Sequence, residues 1–349
     1  MKIAFTSCCD PWNDPIQTAW PELANQKPDV LVLLGDNMYM DYKLGKNPID
    51  LYKPNTFSPQ LFSQKMYDNY KKQWEVKNFQ TAIQSIKNIY AIWDDHDFAW
   101  NNSRGEGTPC TCVNTSPCKC GYVPPIKRMI SKILFEQFRG ALITKPITAE
   151  YPENPLKNGI PTGFTGLPYT GIEQTIHLSN AAHLHLLDGR SFRSEAGITG
   201  SLLGNSQKLG LVTALADTNI IHIIASGTTL NDWSNYNDFS WLQQEFKNRK
   251  VIVLSGDVHQ PLMQKHNNIF EFTASAMAQP AKITTIFGRD SNIFGILDID
   301  DNITLVKTQI FQLKKRNSKL VIRKSGEIDI ATWGLKEFRD YAHEYPDSE

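Results

Sequence analysis

The chain has 349 residues, 41% hydrophobic and 21% charged, a composition typical of soluble globular proteins. Its 36 basic and 36 acidic side chains give a formal net charge of zero, which argues against a basic face for nucleic acid or anionic lipid. No apolar run approaches the roughly 20 residues that span a bilayer. The N-terminal MKIAFTSCCD has too short an apolar core for a signal peptide, so we expect a cytoplasmic location.

Short apolar runs recur along the chain, and polar residues follow each of them. In chain order these are KIAF before residues 6–10, DVLVLL before 35–37, IYAIW before 94–97, HLHLL before 188–190, IIHIIAS before 227–228, and VIVL before 255–259. Continuous apolar runs of this length predict strands that are covered on both faces. Because ligand and catalytic groups gather at the carboxyl ends of strands in open α/β sheets, we expect these polar segments to converge on one site.

Helices are predicted between the strands. Ser58 and Pro59 supply a cap and a first-turn proline for a helix over residues 59–86, where apolar residues recur at three- and four-residue steps. PIKRMISKILFEQFRG, expected to end at its glycine, and NDFSWLQQEFKN have the same pattern. The alternation of strands and helices predicts an α/β fold.

The C-terminal part has a different pattern. NIFGILDID, NITLVKTQIFQL and KLVIRKSGEI predict antiparallel strands joined by tight turns, and the tail ATWGLKEFRDYAHEY is expected to pack back as a helix. Residues 145–171, rich in glycine and proline, are interpreted as a long surface loop. Without a repeat or a low-complexity linker, we expect one catalytic domain over residues 1–349, with a Cys-rich insertion near 103–124 and a strand and helix extension near 300–349.

The insertion contains four closely spaced cysteines, Cys110, Cys112, Cys118 and Cys120. Their C-x-C pairs differ from the C-x-x-C pairs of a zinc ribbon. A structural metal, a disulfide pair and a reduced polar loop all remain open for this segment.

The polar segments suggest a metal site. Asp94, Asp95, His96 and Asp97 follow a buried strand, where adjacent carboxylates are costly without a cation between them. Asp36 follows a glycine turn, and its neighbours include a tyrosine three residues later. Carboxylate, phenolate and thiolate together suit a trivalent ion such as Fe(III) better than Zn(II) or Mg(II).

Six elements in order, SC, GDNMY, WDDHDFAWN, LDGRSFRS, SGDVH and FEFTASA, resemble the PhoD-like alkaline phosphatases and phosphodiesterases over residues 2–276. This family is a branch of the calcineurin-like metallophosphoesterases. The resemblance implies a four-layer αββα sandwich, in which helices flank two mixed β-sheets. It also implies a binuclear or multinuclear centre of Fe(III) with Ca(II) or another divalent ion, and hydrolysis of small-molecule phosphate mono- or diesters.

The resemblance also implies roles for individual residues. The implied metal ligands are Cys8 on iron with Cys9 as a possible alternative, Tyr39 and His259 on iron, Asp36 between both metals, Asp95 on the second metal, and Asp257 from the last motif. Asp257 and His259 alternate, so a turn is needed to aim both at neighbouring ions.

The implied mechanism is in-line attack of a metal-bound hydroxide. His96 is the implied general acid and Asp97 the residue that orients it. Arg190 is expected on a phosphate oxygen, through the planar fork of its guanidinium. Asn101 is expected on the second metal or on the phosphate.

There are two alternatives, one from another class and one, a nuclease, within the same superfamily. A catalytically inactive metal-binding or regulatory protein on the same fold has no need of the proton donor His96. A nuclease is disfavoured by the neutral charge. His183 and His185, which alternate on one strand face, and His222 are interpreted as packing residues.

Overall fold

The computed structural model describes residues 1–41, 54–109, 120–146, 150–160, 169–279, 291–314 and 317–341. In these ranges the strands are β1 (Lys2–Thr6), β2 (Val30–Leu34), β3 (Asn88–Ile92), β4 (Gln174–Ser179), β5 (Ala182–Leu186), β6 (Ile221–Ser226), β7 (Lys250–Ser255), β8 (Pro261–His266), β9 (Ile269–Ala274), β10 (Ile293–Ile299), β11 (Leu305–Lys314), β12 (Lys319–Asp329) and β13 (Gly334–Asp340). The α-helices are α1 (Ala19–Asn25), α2 (Pro59–Trp74), α3 (Lys77–Ser85), α4 (Asp95–Phe98), α5 (Pro125–Thr144), α6 (Gly204–Ala214), α7 (Leu230–Trp233) and α8 (Asp238–Phe246).

The strands form two mixed sheets. One has the order β13-β12-β11-β10-β1-β2-β3, and the other has the order β4-β5-β6-β7-β9-β8. In the first sheet β1, β2 and β3 run parallel, and β10 is antiparallel to β1. In the second sheet β5, β6, β7 and β9 run parallel, and the edge strands β4 and β8 are antiparallel to their neighbours.

The two sheets face each other, with β1 against β9 and β2 against β6. Helices α1, α2, α3 and α5 cover the first sheet, and α6, α7 and α8 lie with a separate apolar cluster on the outer face of the second. Strands β2 and β6 are buried at every position, which explains why apolar residues fill β2 and all but His222 and Ser226 of β6. The prediction of a mixed α/β fold with two mixed sheets and flanking helices is confirmed.

The helix predicted over residues 59–86 is two helices. The chain leaves α2 at Glu75 and extends at Val76 (φ −67°, ψ 111°), which precedes α3. This turn lets the ring of Phe79 pack edge-on against Trp74, 6.2 Å away between centroids. Helix α5 continues past Gly140 to Thr144, because nothing at Gly140 interrupts its hydrogen bonds.

The helix expected at the C-terminal tail is wrong for residues 334–340, which form the edge strand β13. Residues 334–340 form a strand because their backbone pairs with that of β12. β12 carries a free row of amide and carbonyl groups, and β13 satisfies them in an antiparallel ladder that includes Leu335 opposite Ile328. The predicted strands at β10, β11 and β12 are confirmed.

Three other predictions are left open. Cys110, Cys112 and Cys118 lie outside the described residues, as do parts of the predicted 145–171 loop. The single catalytic domain stays a prediction. Among the described helices, none combines the length and apolarity that crossing a bilayer requires.

Candidate metal centre

The carboxyl ends of parallel strands from both sheets meet at one edge of the sandwich. Cys8 follows β1, Asp36 follows β2, Asp94 follows β3, and Asp257 follows β7. The first two turns are joined directly, since the backbone N–H of Cys8 donates to the carbonyl of Gly35 (3.2 Å). The expectation that polar segments at strand ends converge is therefore realised for these side chains.

The turns that present these residues have unusual backbone geometry. Cys8, Asp36, Asp257 and His259 all have left-handed φ angles, of 61°, 51°, 67° and 54°. Non-glycine residues in this region are strained, and such strain concentrates at functional sites. The turn that Asp257 and His259 needed in order to face one site is thus present.

Gly35 lets the β2 turn approach the end of β3. Its φ is 91°, and a Cβ at this position would lie 2.6 Å from the Cβ of Asp94. The glycine before Asp36 is therefore required by close contact as well as by backbone conformation.

One group of predicted ligands surrounds the Oδ2 atom of Asp36. The Sγ atom of Cys8 lies 3.6 Å from this oxygen, and the hydroxyl of Tyr39 donates to it at 3.3 Å. The same hydroxyl is 3.3 Å from Nε2 of His259. The Sγ of Cys8 also contacts the Oγ of Ser275 at 3.2 Å, a neighbour that the sequence did not single out.

The two cysteines have different surroundings. Cys9 lies in the hydrophobic core, and its backbone N–H donates to the carbonyl of Asp36 (2.8 Å). Cys8 presents its sulfur to Asp36 instead. The geometry favours Cys8 over Cys9 as the residue that belongs to the site.

A second group consists of carboxylates. Asp36, Asp94, Asp95 and Asp257 each offer an oxygen, and these four oxygens all lie within 4.8 Å of one another. The Oδ2 atom of Asp94 is buried and has no hydrogen-bond partner among the described residues. Asp94 was absent from the predicted ligands, although its place in the aspartate run was a usable signal.

The electrostatics of this group fit a bound cation. Burial raises the pKa of Asp36 well above its ordinary value, and burial together with Asp94 and Asp95 raises that of Asp257 to about 7. Burial also raises the pKa of Asp94, against the opposing charge of Arg190. Crowded buried carboxylates of this kind are stabilised when cations neutralise them.

Arg190 is engaged with the aspartates. Its side chain is 3% exposed, its Nε donates to Oδ1 of Asp94 (2.6 Å), and an Nη2 lies 3.9 Å from Oδ1 of Asp95. Burial opposes ionisation of Asp95, but Arg190 and His96 lower its pKa to about 2. The guanidinium of Arg190 therefore holds the carboxylates of Asp94 and Asp95 in position.

The turn that carries Arg190 is organised by Asp188. Its carboxylate accepts from the backbone N–H groups of Arg190 (3.0 Å) and Ser191 (2.9 Å), and from Nε1 of Trp93 (2.9 Å). The Asp-Gly-Arg-Ser sequence thus ties the end of β5 to the end of β3.

His96 is held by a residue outside the predicted set. Its Nδ1 lies 2.5 Å from Oδ1 of Asp41, and the other Asp41 oxygen accepts from the backbone N–H of Asn101 (2.8 Å). Asp97, expected to orient His96, accepts instead from the backbone N–H groups of Asn37 (3.0 Å) and Asp94 (3.1 Å). Asp97 therefore joins the turn after β2 to the turn after β3. Asn101 is exposed to solvent.

The charge environment of His96 favours its protonated form. Burial lowers the pKa of the imidazole, but the charges of Asp41, Asp95 and Asp36 raise it well above the ordinary value. A buried imidazole among carboxylates is thus suited to hold and release a proton.

Comparisons with known proteins agree with this architecture. Residues 3–110 match the family model of the PhoD-like phosphatases. A solved structure of PhoD has a TM-score of 0.64 at 15% identity, covering 96% of this chain and 71% of that chain. The Plasmodium protein described as GAP50, the anchor in the inner membrane complex, has a TM-score of 0.41 at 11% identity, covering 97% and 88%, a likeness too weak to carry an argument. No curated protein matches the sequence.

Proposed function

Proceeding from the confirmed resemblance to PhoD-like phosphatases, we propose that this chain is a metal-dependent hydrolase of phosphate mono- or diesters. The family match supports a phosphoesterase enzyme. The observation that carries the proposal is the position of Asp36, whose carboxylate belongs both to the Cys8 and Tyr39 group and to the carboxylate group. A carboxylate shared by two donor groups is suited to bridge two ions.

The two groups differ in donor chemistry. Cys8, Tyr39 and His259 would hold Fe(III) on one side of Asp36, because thiolate and phenolate are electron-rich donors. Asp94, Asp95 and Asp257 would hold Ca(II) or another divalent ion on the other side, since hard cations prefer carboxylate oxygens. When bound, the cations would supply the positive charge that activates water and draws electron density from a phosphate.

His96 supplies the proton for the leaving oxygen. Because a carboxylate only accepts, the short contact with Asp41 places the proton of the neutral imidazole on Nδ1 and orients the ring. Protonation at Nε2 then gives the acid form, which the surrounding carboxylates stabilise. The inactive-protein alternative is disfavoured, because a pure binding site has no use for this buried pair.

Arg190 positions Asp94 and Asp95 in this proposal and does not contact the phosphate itself. The guanidinium is buried and already donates to three acceptors. These are the carboxylate of Asp94, the carbonyl of Ser103 (3.3 Å) and the hydroxyl of Thr228. Asn101 is at the rim, where its exposed side chain is free to reach a bound ester or the second ion.

The test is hydrolysis of nitrophenyl phosphate and of bis-nitrophenyl phosphate by the full chain, before and after treatment with a chelator. We expect turnover of at least one ester that stops on chelation and returns with added metal. Asp36→Asn should abolish it, while the matched surface variant Asp301→Asn should not. Full turnover in a metal-free preparation, or none with any metal supplied, would overturn the proposal.

A further inference from the structure

Four of the eight histidines of the chain lie together on the second sheet, away from the candidate metal centre. They are His177 on β4, His183 and His185 on β5, and His222 on β6. The register places His183 opposite both His177 and His222. Asp188 lies at the edge of the sandwich that carries the candidate metal centre. An extended chain covers about 16 Å from His183 to Asp188.

All four rings point to the outer face of the sheet. The residues that alternate with them, such as Leu184 on β5 and Ile223 on β6, belong to the core between the sheets. On the other face Leu187 and Ile224 contact the helix layer. The histidines therefore occupy the corner between the edge strand β4 and the loop that follows α6.

The inner pair, His185 and His222, has a fixed set of hydrogen bonds. Nε2 of His222 is 2.7 Å from the carbonyl oxygen of Asp217, so this nitrogen must donate. In the neutral ring Nδ1 of His222 then accepts from Nε2 of His185 (3.0 Å), and Nδ1 of His185 accepts from the hydroxyl of Thr175 (3.1 Å). The inner pair is thus fully satisfied as two neutral imidazoles.

The outer pair, His177 and His183, is arranged differently. These residues are direct cross-strand neighbours, and their ring centroids are 3.9 Å apart. Nδ1 of His183 is buried and has no hydrogen-bond partner among the described residues. Burial and the neighbouring His177 lower the pKa of His183, so its ring is neutral and keeps a lone pair.

We propose that His177 and His183 bind a divalent late transition metal such as Zn(II), Ni(II) or Cu(II). Imidazole nitrogen is a preferred donor for these ions, and a cross-strand pair presents two such donors from a rigid sheet. Asp217 adds negative charge on the same side, and its effect on the pKa of His183 opposes that of His177. The inner pair supports the site by packing behind His183, with centroids 6.3 and 6.2 Å away.

A bound ion would join the edge strand β4 to β5. Among the described strands β4 pairs only with β5, so a metal link between these two strands would stabilise the open edge of the sheet. The site uses residues that do not belong to the phosphoesterase centre, and either proposal can fail without the other.

The test uses the full chain with its catalytic metals already loaded, titrated with Ni(II) by calorimetry. We expect one further equivalent to bind to the wild type and to the control His266→Gln, which changes a histidine on the opposite edge strand β8. His177→Gln and His183→Gln should each weaken this binding by about tenfold or more, because even residues that only support a metal ligand change affinity by 10–100-fold.

A second measurement locates the ion. Substoichiometric Cu(II) should broaden the ring-proton NMR signals of His177 and His183 before that of His266. His177 is exposed, so its variant should fold, and melting without added metal checks this. Unchanged Ni(II) affinity in the folded His177→Gln and His183→Gln variants, or broadening that spares both rings, would overturn the proposal.

Discussion

Nδ1 of His96 and Oδ1 of Asp41 lie 2.5 Å apart, and both residues are buried although 55 positions separate them in the chain. Asp41 reaches the ring from the turn after β2, and His96 is the second residue of the short helix α4, which follows β3. The carboxylate of Asp41 therefore sets the orientation of the imidazole of His96.

His96→Ala should harm cleavage of alkyl phosphates far more than cleavage of nitrophenyl phosphate. An alkoxide needs a proton in order to leave, whereas nitrophenolate is a weak base. We expect a loss of roughly 10²–10⁴-fold in kcat/KM for the alkyl ester. Steady-state kinetics with both substrates measure this, and equal losses would refute the proposed acid role.

Asp41→Asn should also slow cleavage of alkyl phosphates more than cleavage of nitrophenyl phosphate, but both losses should be smaller than in His96→Ala. The amide keeps the volume of the side chain but removes the charge that favours protonated His96. The double variant with His96→Ala should be no slower than His96→Ala alone, because Asp41 acts through that ring. Additive losses in the double variant would show that Asp41 has a separate role.

Removal of the metals should lower the melting temperature. Without cations Asp36, Asp94, Asp95 and Asp257 face one another with only nearby positive side chains to offset them. A bound ion at 100 times its Kd contributes about 2.7 kcal/mol to stability. Thermal unfolding with and without EDTA measures the shift, which should shrink in Asp257→Asn. Both measurements are made in the His177→Gln variant, so that metal bound at the proposed His177 and His183 site does not contribute to the shift.

Gly35→Ala and Gly140→Ala should change stability in opposite directions. A Cβ at Gly35 meets Asp94 in a left-handed conformation, which we expect to destabilise the fold by about 2–4 kcal/mol. A Cβ at Gly140 has open space within α5, where alanine should stabilise by about 0.5–1 kcal/mol. Denaturant unfolding measures both, and equal changes of the same sign would contradict the packing argument.

The inner histidine pair should make the protein sensitive to acid. Burial and the neighbouring His222 lower the pKa of His185 from 6.5 to about 3. Because the unfolded chain then binds more protons, the contribution of His185 is present above pH 6.5 and is lost as the pH falls toward 3. The limiting slope is about 1.4 kcal/mol per pH unit for one group.

His185→Gln should flatten the fall in unfolding free energy below pH 6.5, relative to the control His266→Gln. Urea unfolding at a series of pH values between 7 and 4.5 makes this comparison. Parallel curves for the two variants would show that the neutral pair does not contribute to the acid sensitivity.

The sequence predicted much of the fold because its signals are local. Apolar runs at β1, β2, β3, β6 and β7, interrupted in β6 by His222, identify largely buried strands, and polar residues directly after them identify the edge that carries the candidate metal centre. Helix boundaries were less certain. The break at Glu75 and the continuation through Gly140 depend on what packs around each point, which a periodic pattern does not contain.

By itself the sequence determined the strand ends, the order of the motifs and the types of donor side chain that they bring, since each of these depends on neighbours in the chain. The tertiary structure decided that Asp41 and not Asp97 meets His96, that Asp94 turns toward the carboxylates, that residues 334–340 pair as a strand, and that four histidines meet on one face. The physical reason is that such contacts follow from strand register and left-handed turns, which bring together side chains that no local pattern relates.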